Sequence, residues 1–91
     1  MRIRARAKQD VLDAAVWYEQ RKPDLGIQFV LEVDAAVSLI LDNPLQFPIY
    51  DEPARRALLS RFPYAVYYQP APLVILRVLH LRRYPDTWKS G

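Results

Sequence analysis

Between residues 43 and 53 the hydrophobic period of this chain changes, and no other feature restricts its fold as much. Before the change, apolar residues recur at helical spacing. Val11, Ala14, Ala15 and Tyr18 mark a helix over residues 8–21, and Leu25, Phe29, Val33, Ala36, Val37 and Ile40 mark a second. Pro23 and Asp24 divide the two runs, with Asp24 as the expected N-cap, and Asn43 with Pro44 ends the second. Helices joined by so short a link predict an antiparallel hairpin. After the change, residues 54–62, 64–69 and 73–81 are rich in β-formers and are separated by Pro63 and by Pro70-Ala71-Pro72. They predict an antiparallel meander.

The stretch between the two halves, with Pro44, Pro48 and Pro53 around Phe47 and Tyr50, reads as an ordered crossing loop and not as a linker. At the N-terminus Arg2, Arg4 and Arg6 alternate with Ile3, Ala5 and Ala7, which predicts a short first strand through residue 7. The run 73–81 is apolar on both faces, as an interior strand would be. The expected fold is therefore α+β, in the order β-α-α-β-β-β, with the helical hairpin packed on one face of a mainly antiparallel sheet. A chain of 91 residues is expected to form one domain over 1–91.

Composition narrows the functional classes. The hydrophobic fraction of 52% with 25% charged residues is that of a globular protein, and the absence of cysteine excludes disulfides and thiolate metal sites. No cofactor is expected. The charged N-terminus has no apolar core of the kind a secretory signal needs, and the uncharged run 64–76 is too short to span a bilayer, so the expectation is a cytoplasmic protein that enters no membrane. Charge is divided unevenly: six Lys/Arg face nine Asp/Glu up to Pro53, and seven face Asp86 alone from Ala54 onward. The acidic residues concentrate on the helices and the arginines on the strands. A positive sheet face of this kind attracts an acidic polypeptide or a nucleic acid, unless it serves only as a solvated surface.

Strand alternation through residue 62 puts Leu58 and Phe62 on one face and Arg55 and Arg61 on the other. If the helices cover Leu58 and Phe62, Arg55 and Arg61 line an open groove that residues 77–88 close. Arg77, set in an apolar run, must either face that groove or be paired in the core, and the groove is the expected place. His80, the sole histidine, has only Asp86 as an acidic neighbour in sequence, so a hydrogen-bonded structural role competes with a functional one. One histidine without cysteine argues against a metal site. Trp17, Tyr18, Tyr64, Tyr67 and Tyr68 are expected to be packing residues before they are stacking platforms.

Trp17 and Tyr18 late in the first helix, Leu25, Gly26 and Phe29 opening the second, Pro44 after it, then RRALLSRFPYAVYY and VLHLRRYPDTW together resemble the RelE/ParE toxin superfamily, closest to its ParE-like branch. The resemblance covers nearly the whole chain. It implies a two-layer fold with the first strand beside the last, and a toxin of a type II toxin–antitoxin, plasmid-stabilising module that inhibits growth. It also implies a cognate acidic antitoxin that wraps and neutralises it in a hetero-oligomer.

The superfamily has two mechanisms. RelE-like members cleave mRNA on the ribosome, using basic residues two apart on the strand after the hairpin and an arginine directly after the tyrosine of the next. The matching positions here are Arg56, Leu58 and Ala65, so two of the three are lost. Arg56, Arg82, Arg83 and Tyr84 are the candidates if the chain is a ribonuclease. ParE-like members bind and poison DNA gyrase with no catalytic constellation, and the ending with His80, Arg82, Arg83, Pro85 and Trp88 is similar to theirs. The expected partner-binding residues are Arg55, Arg61, Arg77, His80, Arg82, Arg83, Tyr84 and Trp88. A third reading is a non-toxic remnant that binds only its antitoxin.

Overall fold

Residues 1–83 are described by the computed structural model. In chain order they form β1 (Arg2–Ile3), α1 (Ala5–Arg21), α2 (Leu25–Asp42), β2 (Ile49–Asp51), β3 (Ala54–Leu58), β4 (Tyr64–Pro70) and β5 (Leu73–His80). The five strands make one sheet in the order β1-β5-β4-β3-β2. Only the β1–β5 pair is parallel. The helical hairpin covers one face, which gives the expected α+β architecture with β1 beside β5.

The structure departs from the sequence reading in three local places. The first strand stops at Ile3, because Ala5, Arg6, Ala7 and Lys8 are good helix formers, and Lys8 N–H already donates to the Arg4 carbonyl at 3.1 Å. Arg6 is therefore helical. Asp24 precedes α2 but does not cap it: its φ of 71° places it in the left-handed region, and its side chain makes no capping bond. Glu19 of the preceding helix caps instead, accepting from Asp24 N–H at 2.9 Å and Gly26 N–H at 3.0 Å. Ile49–Asp51, which the prolines disguised as loop, forms the edge strand β2.

Gly26 is required where the helices cross. A Cβ there would lie 2.5 Å from the Ala15 carbonyl oxygen, a contact only backbone movement could relieve. Close approach lets α2 press Phe29, Val33, Ala36 and Ile40 onto Ala57, Val66, Tyr68, Ile75 and Val78 of the sheet. The aromatic centre of this core is Tyr18, whose ring lies 5.5 Å from Phe29 and 4.8 Å from Phe62.

The register of β3 reverses the expected facing. Arg55 opposes Tyr68 and Ala57 opposes Val66, and these partners lie in the helix-covered core. Arg55 thus faces the helices. Its guanidinium donates to the carbonyls of Leu45 (3.1 Å) and Phe47 (2.7 Å), while the Tyr68 hydroxyl donates to the Pro44 carbonyl at 2.6 Å, and together they fasten the crossing loop. Leu58 is 57% exposed and Leu59 enters the core in its place, whereas Phe62 lies in the helix-covered core as expected. Continuous alternation failed because β3 ends at Leu58 and the chain turns before β4.

Candidate functional site

The site begins with a mismatch in strand length. β1 has two residues and β5 has eight, so β1 covers the edge of β5 only at Val74 and Ile75, and Arg4 N–H closes the pairing on the Ile75 carbonyl at 3.1 Å. From there α1 runs beside the uncovered edge. Asp10, on the second turn of α1, fills part of the gap. Its carboxylate accepts from Arg77 Nε at 2.7 Å, Arg77 Nη2 at 3.0 Å and the backbone N–H of Val78 at 3.0 Å.

Arg77 is thereby a core residue. It is 6% exposed, and the Asp10 carboxylate raises its pKa against the opposing effect of burial. The expectation that Arg77 faces the groove is corrected. A guanidinium in an apolar strand needs a charged partner within reach; the register sets Arg77 opposite Tyr67, and Asp10 of α1 supplies the partner at the edge of β5 that β1 leaves uncovered. Nothing in the sequence near residue 77 announces an aspartate 67 positions away.

Beyond the pair, α1 and the end of β5 diverge to leave a cleft of about 510 Å³. Asp10, Asp13, Ala14, Trp17 and Tyr18 form one wall, and Pro63, Tyr64, Val78, Leu79, His80 and Arg83 form the other. Its surfaces are mixed. The Tyr64 and His80 rings meet edge to face at 5.3 Å, and Arg21 lies 3.7 Å over the Trp17 ring. Burial pushes the Tyr18 phenol up, with the neighbouring Tyr64 adding to the effect. Burial also pushes Tyr64 up, with Arg83 opposing and Asp10 reinforcing. Both phenols are neutral hydrogen-bond donors at physiological pH.

His80 Nδ1 accepts the Arg82 backbone N–H at 3.1 Å, which fixes the ring and assigns its proton, in the neutral form, to Nε2. Asp13 Oδ1 accepts from Gln9 at 2.8 Å. Among the described residues Asp13 has no salt-bridge partner.

The predicted binding residues therefore do not form one surface. His80 and Arg83 share the cleft, and Arg82 lies exposed beside it. Arg55 and Arg77 are structural ties. Arg61 is bound to Glu32 at 2.6 Å, and the same carboxylate accepts the N–H groups of Ser60 and Arg61 at 3.0 Å each. Burial would raise the Glu32 pKa, but these Arg61 and Ser60 donors outweigh it and hold the carboxyl below its ordinary value.

Tyr84 and Trp88 lie outside the described residues. The cleft adds Asp13, Trp17, Tyr18 and Tyr64 to the site. Trp17 and Tyr18 stand out in the sequence as paired aromatics of α1, and Tyr64 as an aromatic of β4, but such signals do not distinguish a lining residue from a packing one.

Arg56 belongs elsewhere. It opposes Tyr67 on the face away from the helices, with its guanidinium 4.7 Å over the Tyr50 ring. Leu58 opposes Ala65 on that same face, next to the buried apolar cluster of Ala65, Tyr67 and Leu79. By strand spacing, Arg56 is roughly 10 Å across two strands and roughly 10 Å along them from His80. The ribonuclease candidates Arg56, Arg82 and Arg83 are not gathered at one point.

Compared with known families, residues 1–85 match the ParE toxin of type II toxin–antitoxin systems, parDE. The chain belongs to the ParE toxin family. No curated protein matches it. This ParE-family chain is thus a toxin of a type II toxin–antitoxin pair, and the cleft beside α1 is a concave surface built from its described residues. Among those residues no helix is long and apolar enough to cross a membrane, and no group of three or more His, Cys, Asp or Glu residues could hold a metal ion.

Proposed function

We propose that this toxin acts in the cytoplasm by binding and poisoning DNA gyrase, and that a cognate acidic antitoxin neutralises it in a hetero-oligomer. The observation that carries this reading is the composition of the sheet face on which a RelE-like site would be built. Arg56, Leu58 and Ala65 occupy adjacent rows of that face, so basic residues at all three would converge on one phosphate. Here an exposed leucine and a fully buried alanine stand beside a single arginine whose charge rests on Tyr50. Neither Leu58 nor Ala65 can donate a proton or stabilise a phosphorane. Binding surfaces survive instead: the mixed cleft, and the exposed Arg82 and Arg83 at its rim.

The test is to add the purified protein to two reactions, supercoiling by gyrase and translation on ribosomes. Inhibited supercoiling with intact mRNA is the expected result. Codon-dependent cleavage with unaffected supercoiling would reject gyrase poisoning in favour of ribonuclease action, and no effect in either would favour an antitoxin-binding remnant.

A further inference from the structure

Strand parity at the floor of the cleft leaves backbone hydrogen-bonding groups uncovered. Leu81 N–H donates to the Pro63 carbonyl at 2.9 Å, so residues 79 and 81 turn their backbone toward β4. Val78 and His80 turn theirs toward the opposite edge, as the Val78 N–H bond to Asp10 confirms. These two residues present four groups there. Asp10 takes the Val78 N–H, and the His80 carbonyl accepts Arg83 N–H at 2.9 Å. The Val78 carbonyl and the His80 N–H remain, without a partner among the described residues, on the cleft floor.

That pair of groups has the spacing of a parallel β-bridge. One residue of an incoming strand donates its N–H to the carbonyl before Leu79 and accepts the N–H after it. β1 already pairs with β5 in this parallel sense at Val74 and Ile75, so the incoming residue would continue the line that β1 abandons when the chain enters α1. We propose that the cleft between α1 and the end of β5 receives an extended segment of the antitoxin, which pairs in parallel with Val78 and His80 and lays one side chain among Trp17, Tyr18 and Tyr64.

The cleft chemistry selects a polypeptide. The alternating N–H and C=O groups of an extended polypeptide match the two uncovered ones, whereas a phosphate backbone has no N–H to offer the Val78 carbonyl. Asp13, with Oδ1 held by Gln9, keeps Oδ2 for a donor on the segment, and the two neutral phenols and Arg83 face its acceptors. The aromatic walls supply apolar contact for a single buried side chain, the usual division of labour in strand addition.

This inference rests on the toxin–antitoxin reading, and its test separates the two. The antitoxin encoded beside this chain is co-expressed with it, and amide hydrogen exchange is followed residue by residue by NMR in the free and bound toxin. Exchange at the His80 amide is expected to slow at least tenfold on binding. Asp13→Lys and Trp17→Ala, both at solvent-exposed positions, are each expected to weaken the complex at least tenfold with the circular dichroism spectrum unchanged. A complex that forms with His80 exchange unaltered and with both variants binding within twofold of wild type overturns the proposal while leaving the toxin–antitoxin reading intact. Failure of the wild-type pair to associate overturns both.

Discussion

Removing the Asp10 carboxylate should cost this protein a large part of its stability. Asp10 and Arg77 have side-chain exposures of 11% and 7%, so their pairing is screened little by water. Taking away one member of such a pair costs about 3–5 kcal/mol, because the remaining charge stays in a poorly solvated place. Asp10→Ala also strips the acceptor from the Val78 N–H. A chain of this length has roughly 5–13 kcal/mol in total. The expected loss is therefore at least 3 kcal/mol, or a fall in Tm of about 12 °C or more for a domain of this size.

Urea denaturation followed by circular dichroism measures this directly. The double variant Asp10→Ala with Arg77→Met serves as the control. Removing both charges and filling the space with an apolar chain should recover most of the loss, to within about 1.5 kcal/mol of wild type. A loss below about 1 kcal/mol in the single variant would show that Arg77 does not depend on Asp10, and the account of how α1 seals the edge of β5 would be wrong.

Other consequences are simpler to state. Gly26→Ala should cost about 1–3 kcal/mol by the same denaturation assay, since its methyl group meets the Ala15 carbonyl where the helices cross. The Glu32 carboxyl is depressed in the folded state, so its contribution is full above the unfolded value near pH ~4.3 and is lost as the pH falls through the lower folded value. Glu32→Gln should accordingly flatten the acid limb of the stability profile, and an unchanged limb would refute the clamp on Ser60 and Arg61. Arg82→Glu with Arg83→Glu should change stability by under about 0.5 kcal/mol, both residues being exposed, while weakening partner association in a salt-dependent manner measurable by calorimetry.

Much of this fold was legible because hydrophobic period is a local signal. The stripe from Leu25 to Ile40, the interior character of β5 and the stop at Asn43 with Pro44 all survive in the structure. What failed depended on distance or on chain reversal. The facing of Arg55 and Leu58 turns on where β3 ends, and that is set by Leu59 entering the core in place of Leu58. The partner of Arg77 lies in another element. The cap of α2 comes from Glu19, since Asp24 adopts a left-handed conformation that its sequence position does not reveal. The cleft was the least legible feature, being created by an absence: β1 stops after two residues and exposes backbone that side-chain patterns do not encode.

The most direct test of the functional account is supercoiling by purified gyrase titrated with this toxin, alone and with its co-expressed antitoxin. The account predicts dose-dependent inhibition that the antitoxin reverses. Full supercoiling at every toxin concentration, from protein that arrests growth when expressed without its antitoxin, would contradict it.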